Sequence, residues 1–169
     1  MKRAPILIST IVAALLMLMA ADRVWGHGGG APQLTNEPAG PYTISAWTNP
    51  DPPAVGDLHL TIGVGLAATG EALAEPEVVV TAFPPDGSDP TRTIATHEGA
   101  LTPYFYETDL ALSAAGSWRV EIDVEGKEGK GNAAFTLEVR EAAPNYLLWG
   151  GIGLAAVVAL WLGWTLIRK

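Results

Sequence analysis

The chain has 169 residues, 49% of them hydrophobic, with no cysteine and a formal net charge of −8 at pH 7. No disulfide, thiolate metal site or thiol nucleophile is available to it, and its acidity works against nucleic acid, whose phosphates need patches of Lys and Arg. One ordinary domain fits the length, and two long apolar runs take part of it.

The first run begins with Met1-Lys2-Arg3, continues uncharged from Ala4 to Ala21 and ends in Asp22-Arg23-Val24-Trp25-Gly26. A basic start, an apolar middle and small residues at the cut site describe a secretory signal peptide over residues 1–26. Cleavage after Gly26, with Val24 three residues before the bond, makes His27 the new N-terminus. Cleavage after Ala21 competes with it, and retention as an uncleaved anchor is a third outcome. The three methionines, Met1, Met17 and Met19, all lie in this segment. A processed chain therefore has no sulfur ligand, which argues against a site for the soft cuprous ion.

Residues 27–41 are rich in glycine and proline, with Thr35 and Asn36 among them and no hydrophobic periodicity, and read as a flexible tether. From Tyr42 the pattern changes to period two. Strands are expected over Tyr42 to Thr48, around Leu58, Leu60, Ile62 and Val64, around Val78, Val80 and Ala82, over Thr91 to His97 and over Pro103 to Glu107. The clearest pair follows: Trp118, Val120, Ile122 and Val124 alternate with Arg119, Glu121 and Asp123, then Ala133, Phe135, Leu137 and Val139 alternate with Ala134, Thr136, Glu138 and Arg140. Turn formers from Glu125 to Asn132 join these two into an antiparallel hairpin. About seven strands with Pro- and Gly-containing turns and no amphipathic helix between them predict an all-β, immunoglobulin-like antiparallel β-sandwich over residues 42–140. Strand order is not legible from the pattern.

A linker over 141–146 leads to the second apolar run. Leu147 to Ile167 holds no charge over about 21 residues, ~31 Å as a helix, enough to cross a bilayer core. Arg168-Lys169 closes it, and positive residues favour the cytoplasmic side. The expectation is a single-pass protein of the cytoplasmic membrane, with a tail at 168–169 inside and the sandwich on the extracytoplasmic side. Gly151, Ala155, Ala159 and Gly163 recur every four residues, a small-residue stripe of the kind along which membrane helices associate, with a second copy or another membrane protein as partner. Between the two runs lie 17 of the 18 acidic residues against Arg92, Arg119, Lys127, Lys130 and Arg140, so the exported part carries about −12. Such a field attracts cations or basic partners.

Pro53-Ala54-Val55-Gly56-Asp57 leading into Leu58-His59-Leu60-Thr61-Ile62, then Glu77-Val78-Val79-Val80, the segment Leu110 to Val120 closing in Ala115-Gly116-Ser117-Trp118-Arg119-Val120, and Phe135-Thr136-Leu137-Glu138-Val139 together resemble the YtkA-like or FixH-like family of exported sandwich domains. The likeness spans roughly Tyr42 to Arg140. In the Gly-x-Trp-x-Val piece a glycine turn sends a tryptophan into the core. This family, and the related CopC-type sandwiches, are associated with copper handling or assembly of membrane oxidases, so the resemblance implies such a role.

Any metal site must draw on His27, His59 and His97. An N-terminal His27 offers its amine and imidazole to one ion, an arrangement suited to Cu(II) in nitrogen-rich, square-planar geometry. Asp57 and His59 stand two apart on a strand and project to the same side. In the CopC-type pattern an N-terminal histidine works with an Asp-x-His pair, the form of Asp57-Leu58-His59, although that family carries its pair near the end of the sandwich. His97, beside Glu98 and Gly99, reads as a turn residue. No Gly-x-Ser-x-Gly elbow, phosphate loop or His-Glu-x-x-His motif is present. The sequence thus points to a non-catalytic, membrane-anchored accessory or binding module, with cupric-ion binding or delivery through His27, Asp57 and His59 as one alternative and a structural surface domain as another.

Overall fold

In a computed structural model the described residues are 30–142 and 146–167. The expected signal segment, His27 and the expected tail at 168–169 lie outside them. The strands belong to one compact unit, Gly26–Ala143, and the C-terminal helix to another.

Eight strands are found: β1 (Ala31–Ala39), β2 (Tyr42–Asn49), β3 (Gly56–Leu66), β4 (Glu77–Phe83), β5 (Thr91–Ala95), β6 (Phe105–Leu112), β7 (Gly116–Gly126) and β8 (Gly129–Val139). They form two four-stranded antiparallel sheets, β1-β2-β3-β6 and β5-β4-β7-β8. Alternation builds each one, because successive side chains leave a strand on opposite faces. Tyr42, Ile44 and Ala46, then Leu58, Leu60, Ile62 and Val64, then Leu110 and Leu112 line the inner face of the first sheet. Val78, Val80, Trp118, Val120, Ile122, Val124, Leu137 and Val139 line that of the second. The two apolar faces share one core, the packing that drives a sandwich together.

Trp118, 2% exposed, is the largest side chain in that core, and its indole N–H donates to the Ala114 carbonyl at 2.9 Å. Gly116 makes the turn that sends it there: its φ is +132°, and a Cβ would stand 3.0 Å from the Pro85 ring. L-side chains rarely adopt that backbone angle, so glycine is needed twice over.

Three expectations are corrected. Residues 31–39 of the expected tether are strand β1, whose Leu34 and Ala39 enter the core. Pro32, Pro38 and two register shifts disguise it; an edge strand tolerates both, since its outer edge needs no ladder hydrogen bonds. The strand count is consequently eight among the described residues, not seven. β6 starts and ends later than the expected Pro103 to Glu107 segment, running through Leu112.

The seam between β5 and β6 is laced: Thr96 and Glu107 exchange backbone hydrogen bonds of 3.0 and 2.6 Å, and the Thr93 and Thr108 hydroxyls lie 3.2 Å apart. At the end of β8 the chain is gripped again, with Arg140 N–H donating to Pro53 O at 3.0 Å and Val55 N–H donating to Arg140 O at 2.9 Å.

The second apolar run is helical, α1 (Tyr146–Ile167), 22 residues or roughly 33 Å. It begins one residue before the expected Leu147. Among the described residues no helix is long and apolar enough to cross a membrane.

Candidate functional site

The outward face of β2, β3 and β6 concentrates the chemistry of the first sheet. Cross-strand register sets it out in rows: Asn49, His59 and Asp109 share one, Trp47, Thr61 and Glu107 the next, and Ser45, Gly63 and Phe105 the third. Rows are two residues apart along each strand, roughly 7 Å.

Trp47 and Phe105, each half-buried, meet edge to face with centroids 5.8 Å apart and planes at 69°, the geometry favoured by ring quadrupoles. Gly63 lies between them. A Cβ there would be 3.4 Å from the Phe105 ring and 3.7 Å from Trp47. Having no side chain, Gly63 lets the two rings meet above it.

In the neighbouring rows the His59 ring stands between two carboxylates, Nε2 at 2.8 Å from Glu107 Oε2 and Nδ1 at 2.8 Å from Asp109 Oδ1. The Thr61 hydroxyl donates to the same Glu107 oxygen at 2.7 Å. Glu107 is 11% exposed and Asp109 73%, so one carboxylate is built into the face and the other is presented to solvent. Asp57, exposed, completes the outward side of β3.

Asp57 and His59 do share a face, as the spacing predicts. The partners that the structure gives His59 are Glu107 and Asp109 of β6. Both its nitrogens are engaged, and among the described residues no three His, Asp or Glu side chains are grouped so as to hold a metal ion. His27 lies outside the described residues, so its part in a cupric site is untouched by this geometry. His97 pins the β5–β6 connection: Nδ1 lies 2.8 Å from Phe105 O, Nε2 2.9 Å from Ala74 O, and the ring packs on Tyr106 at 4.3 Å. That arrangement fits the turn role read from its neighbours. Of the small-residue stripe, Gly151 and Ala155 lie on α1 one turn apart; the side chains at 159 and 163 are outside the described set.

No family model and no curated protein matches the chain's sequence. Among solved structures it is similar to FetP of uropathogenic Escherichia coli strain F11 in its as-isolated form, with 13% identity and a TM-score of 0.45 over 66% of this chain and 93% of that one. It is similar to a copper-bound variant of the same FetP, with 12% identity and a TM-score of 0.44 over 66% and 95%. The PKD domain of the human VPS10 domain-containing receptor SorCS2 is a third, with 16% identity and a TM-score of 0.35 over 75% and 100%.

The outward face of the other sheet is built from similar residue types with a different outcome. There Arg119 lies over the Phe83 ring, 5.5 Å from its centroid, and pairs with Glu121. Lys130 donates to Glu125 at 2.8 Å, an ion pair that holds the Lys130 proton above its ordinary range. Asn132 donates to Asp123 at 2.8 Å. The aromatic and two of the acids on that face have cations from their own sheet. β1, β2, β3 and β6 contain no Lys or Arg.

Trp47, Phe105, Glu107 and Asp109 were not singled out from sequence. The signal that could have found Glu107 and Asp109 is their alternation with Tyr106 and Leu110, legible once β6 is extended to Leu112.

Proposed function

We propose that the chain is a non-catalytic accessory module, held at the extracytoplasmic side of the cytoplasmic membrane by a single-pass anchor over 147–167, whose sandwich docks on a membrane protein complex. The observation that carries this reading is the Trp47–Phe105 pair on an outward sheet face, next to the carboxylates of Glu107 and Asp109. Aromatic residues beside polar groups are the composition of recognition surfaces. The anchor is supported by the uncharged sequence from Leu147 to Ile167 and by Arg168-Lys169 after it. Gly151, Ala155, Ala159 and Gly163 give the helix a face suited to close approach in lipid.

Crosslinking of the full-length chain in its own membranes tests the proposal. A discrete adduct is expected, weakened when Gly151→Leu and Ala155→Leu crowd the helix face. A monomer under all conditions removes docking.

Cupric-ion binding or delivery is a second reading, favoured by Asp57 and His59 sharing one side of β3. It requires His59 to release at least one of its carboxylate contacts. A processed chain with a free His27 amine should then bind Cu(II) much more tightly than a chain bearing one extra N-terminal residue. Equal affinity in the two forms eliminates it.

A further inference from the structure

We infer that the outward face of β2-β3-β6 is a receptor for an arginine or lysine side chain presented by the docking partner. This deepens the accessory reading above and rests on it.

The reasoning comes from the contrast between the two sheets. On the β7 side, Arg119 sits with an aromatic cross-strand neighbour, Phe83, and a carboxylate two residues along, Glu121, and it engages both. On the β3 side, Thr61 occupies the comparable central place, with Trp47 as cross-strand neighbour on one flank and Glu107 on the other. The aromatic is there, the carboxylate is there and is held to the His59 ring, and a Lys or Arg is not. None of β1, β2, β3 and β6 supplies one, and the charges they carry are Glu37, Asp57, Glu107 and Asp109, with His59 among the last three.

The dimensions suit an incoming basic side chain. Its aliphatic stem can lie against the outward edges of Trp47 and Phe105, and its head can reach the row beyond Trp47 and Thr61, about 7 Å on, where Asp109 is 73% exposed. A cation over a tryptophan face with a carboxylate at hand is attracted by both. A planar guanidinium that stacks and pairs at once is the better fit of the two. The exported part as a whole, at about −12, steers a basic segment towards this surface.

The test titrates full-length protein in detergent micelles with a labelled arginine-containing peptide and with the same peptide carrying citrulline, which keeps the shape and loses the charge. Trp47→Thr leaves the net charge of the protein unchanged, so it separates the face from general acidity. Thr61→Arg supplies the missing cation from within the chain, as Arg119 does on the other sheet. Asp109→Asn alters a side chain that is exposed apart from its contact with His59, and serves if Trp47→Thr does not fold. The arginine peptide should bind about tenfold or more tightly than the citrulline peptide, and Trp47→Thr and Thr61→Arg should each weaken it by about tenfold. Asp109→Asn should weaken it several-fold, and Glu138→Gln, one charge removed from the opposite sheet, should not. Equal affinity for both peptides, or affinity untouched by Thr61→Arg and Asp109→Asn, overturns the inference. In membranes, an adduct that persists in Trp47→Thr overturns this face and leaves docking in place. Absence of any adduct with the unaltered chain overturns docking itself.

Discussion

Tyr106 carries the sharpest stability prediction. Its side chain is 2% exposed in the core, and its hydroxyl has no hydrogen-bond partner among the described residues. A hydroxyl moved from water to such a place without compensation costs about 1–3 kcal/mol. Tyr106→Phe removes that cost and gives back part of the gain through the small void left behind, so the variant should be about 1–2 kcal/mol more stable, seen as a melting temperature several degrees higher. The pH dependence supplies a second measurement. Burial, with Glu75 and Tyr42 adding to it, pushes the Tyr106 hydroxyl up to about 12 from its ordinary 10.0. A tyrosine is neutral when protonated, so the folded state holds this proton more tightly than the unfolded chain. The contribution is complete below pH 10 and is lost as pH rises towards 12, for a total of roughly 2–3 kcal/mol. Denaturant unfolding of both proteins across this range should show curves that diverge, the unaltered protein losing stability faster. A phenylalanine variant that melts lower at neutral pH, or two curves that fall in parallel from pH 10 to 12, refutes the account of an orphaned buried hydroxyl.

Gly116→Ala places a Cβ on a backbone with φ of +132° and against the Pro85 ring at 3.0 Å; a loss of about 1–3 kcal/mol by chemical denaturation is expected, and a neutral result would mean the turn before Trp118 relaxes freely. Leu34→Ala should cost about 2–4 kcal/mol, because Leu34 belongs to the shared core, whereas an unaltered melt would return residues 31–39 to the status of a tether.

The inner faces were legible because burial on one side of a strand forces period-two alternation, and Leu58 to Val64, Val78 to Ala82, Trp118 to Val124 and Ala133 to Val139 obey it. β1 was not legible, since an edge strand with Pro32, Pro38 and bulges has the composition of a turn. The site was half legible. Asp57 and His59 could be placed on one side of β3 by spacing alone. What stands next to them could not, because cross-strand neighbours depend on strand order, and nothing local in Asp57-Leu58-His59 says that β6 lies alongside. The same limit hid Trp47 and Phe105, which are 58 positions apart and meet only across β3.

The grip of Pro53 and Val55 on Arg140 has a mechanical consequence. These two hydrogen bonds flank an isolated parallel bridge between Ala54 and Arg140, and they close just where the chain leaves the sheet. A pull on the C-terminal segment along β8 loads this clasp and the antiparallel β7–β8 ladder behind it sideways, all bonds together, whereas a pull across the strand would open them one after another. A tug on the chain beyond Arg140 therefore meets the domain at a reinforced exit.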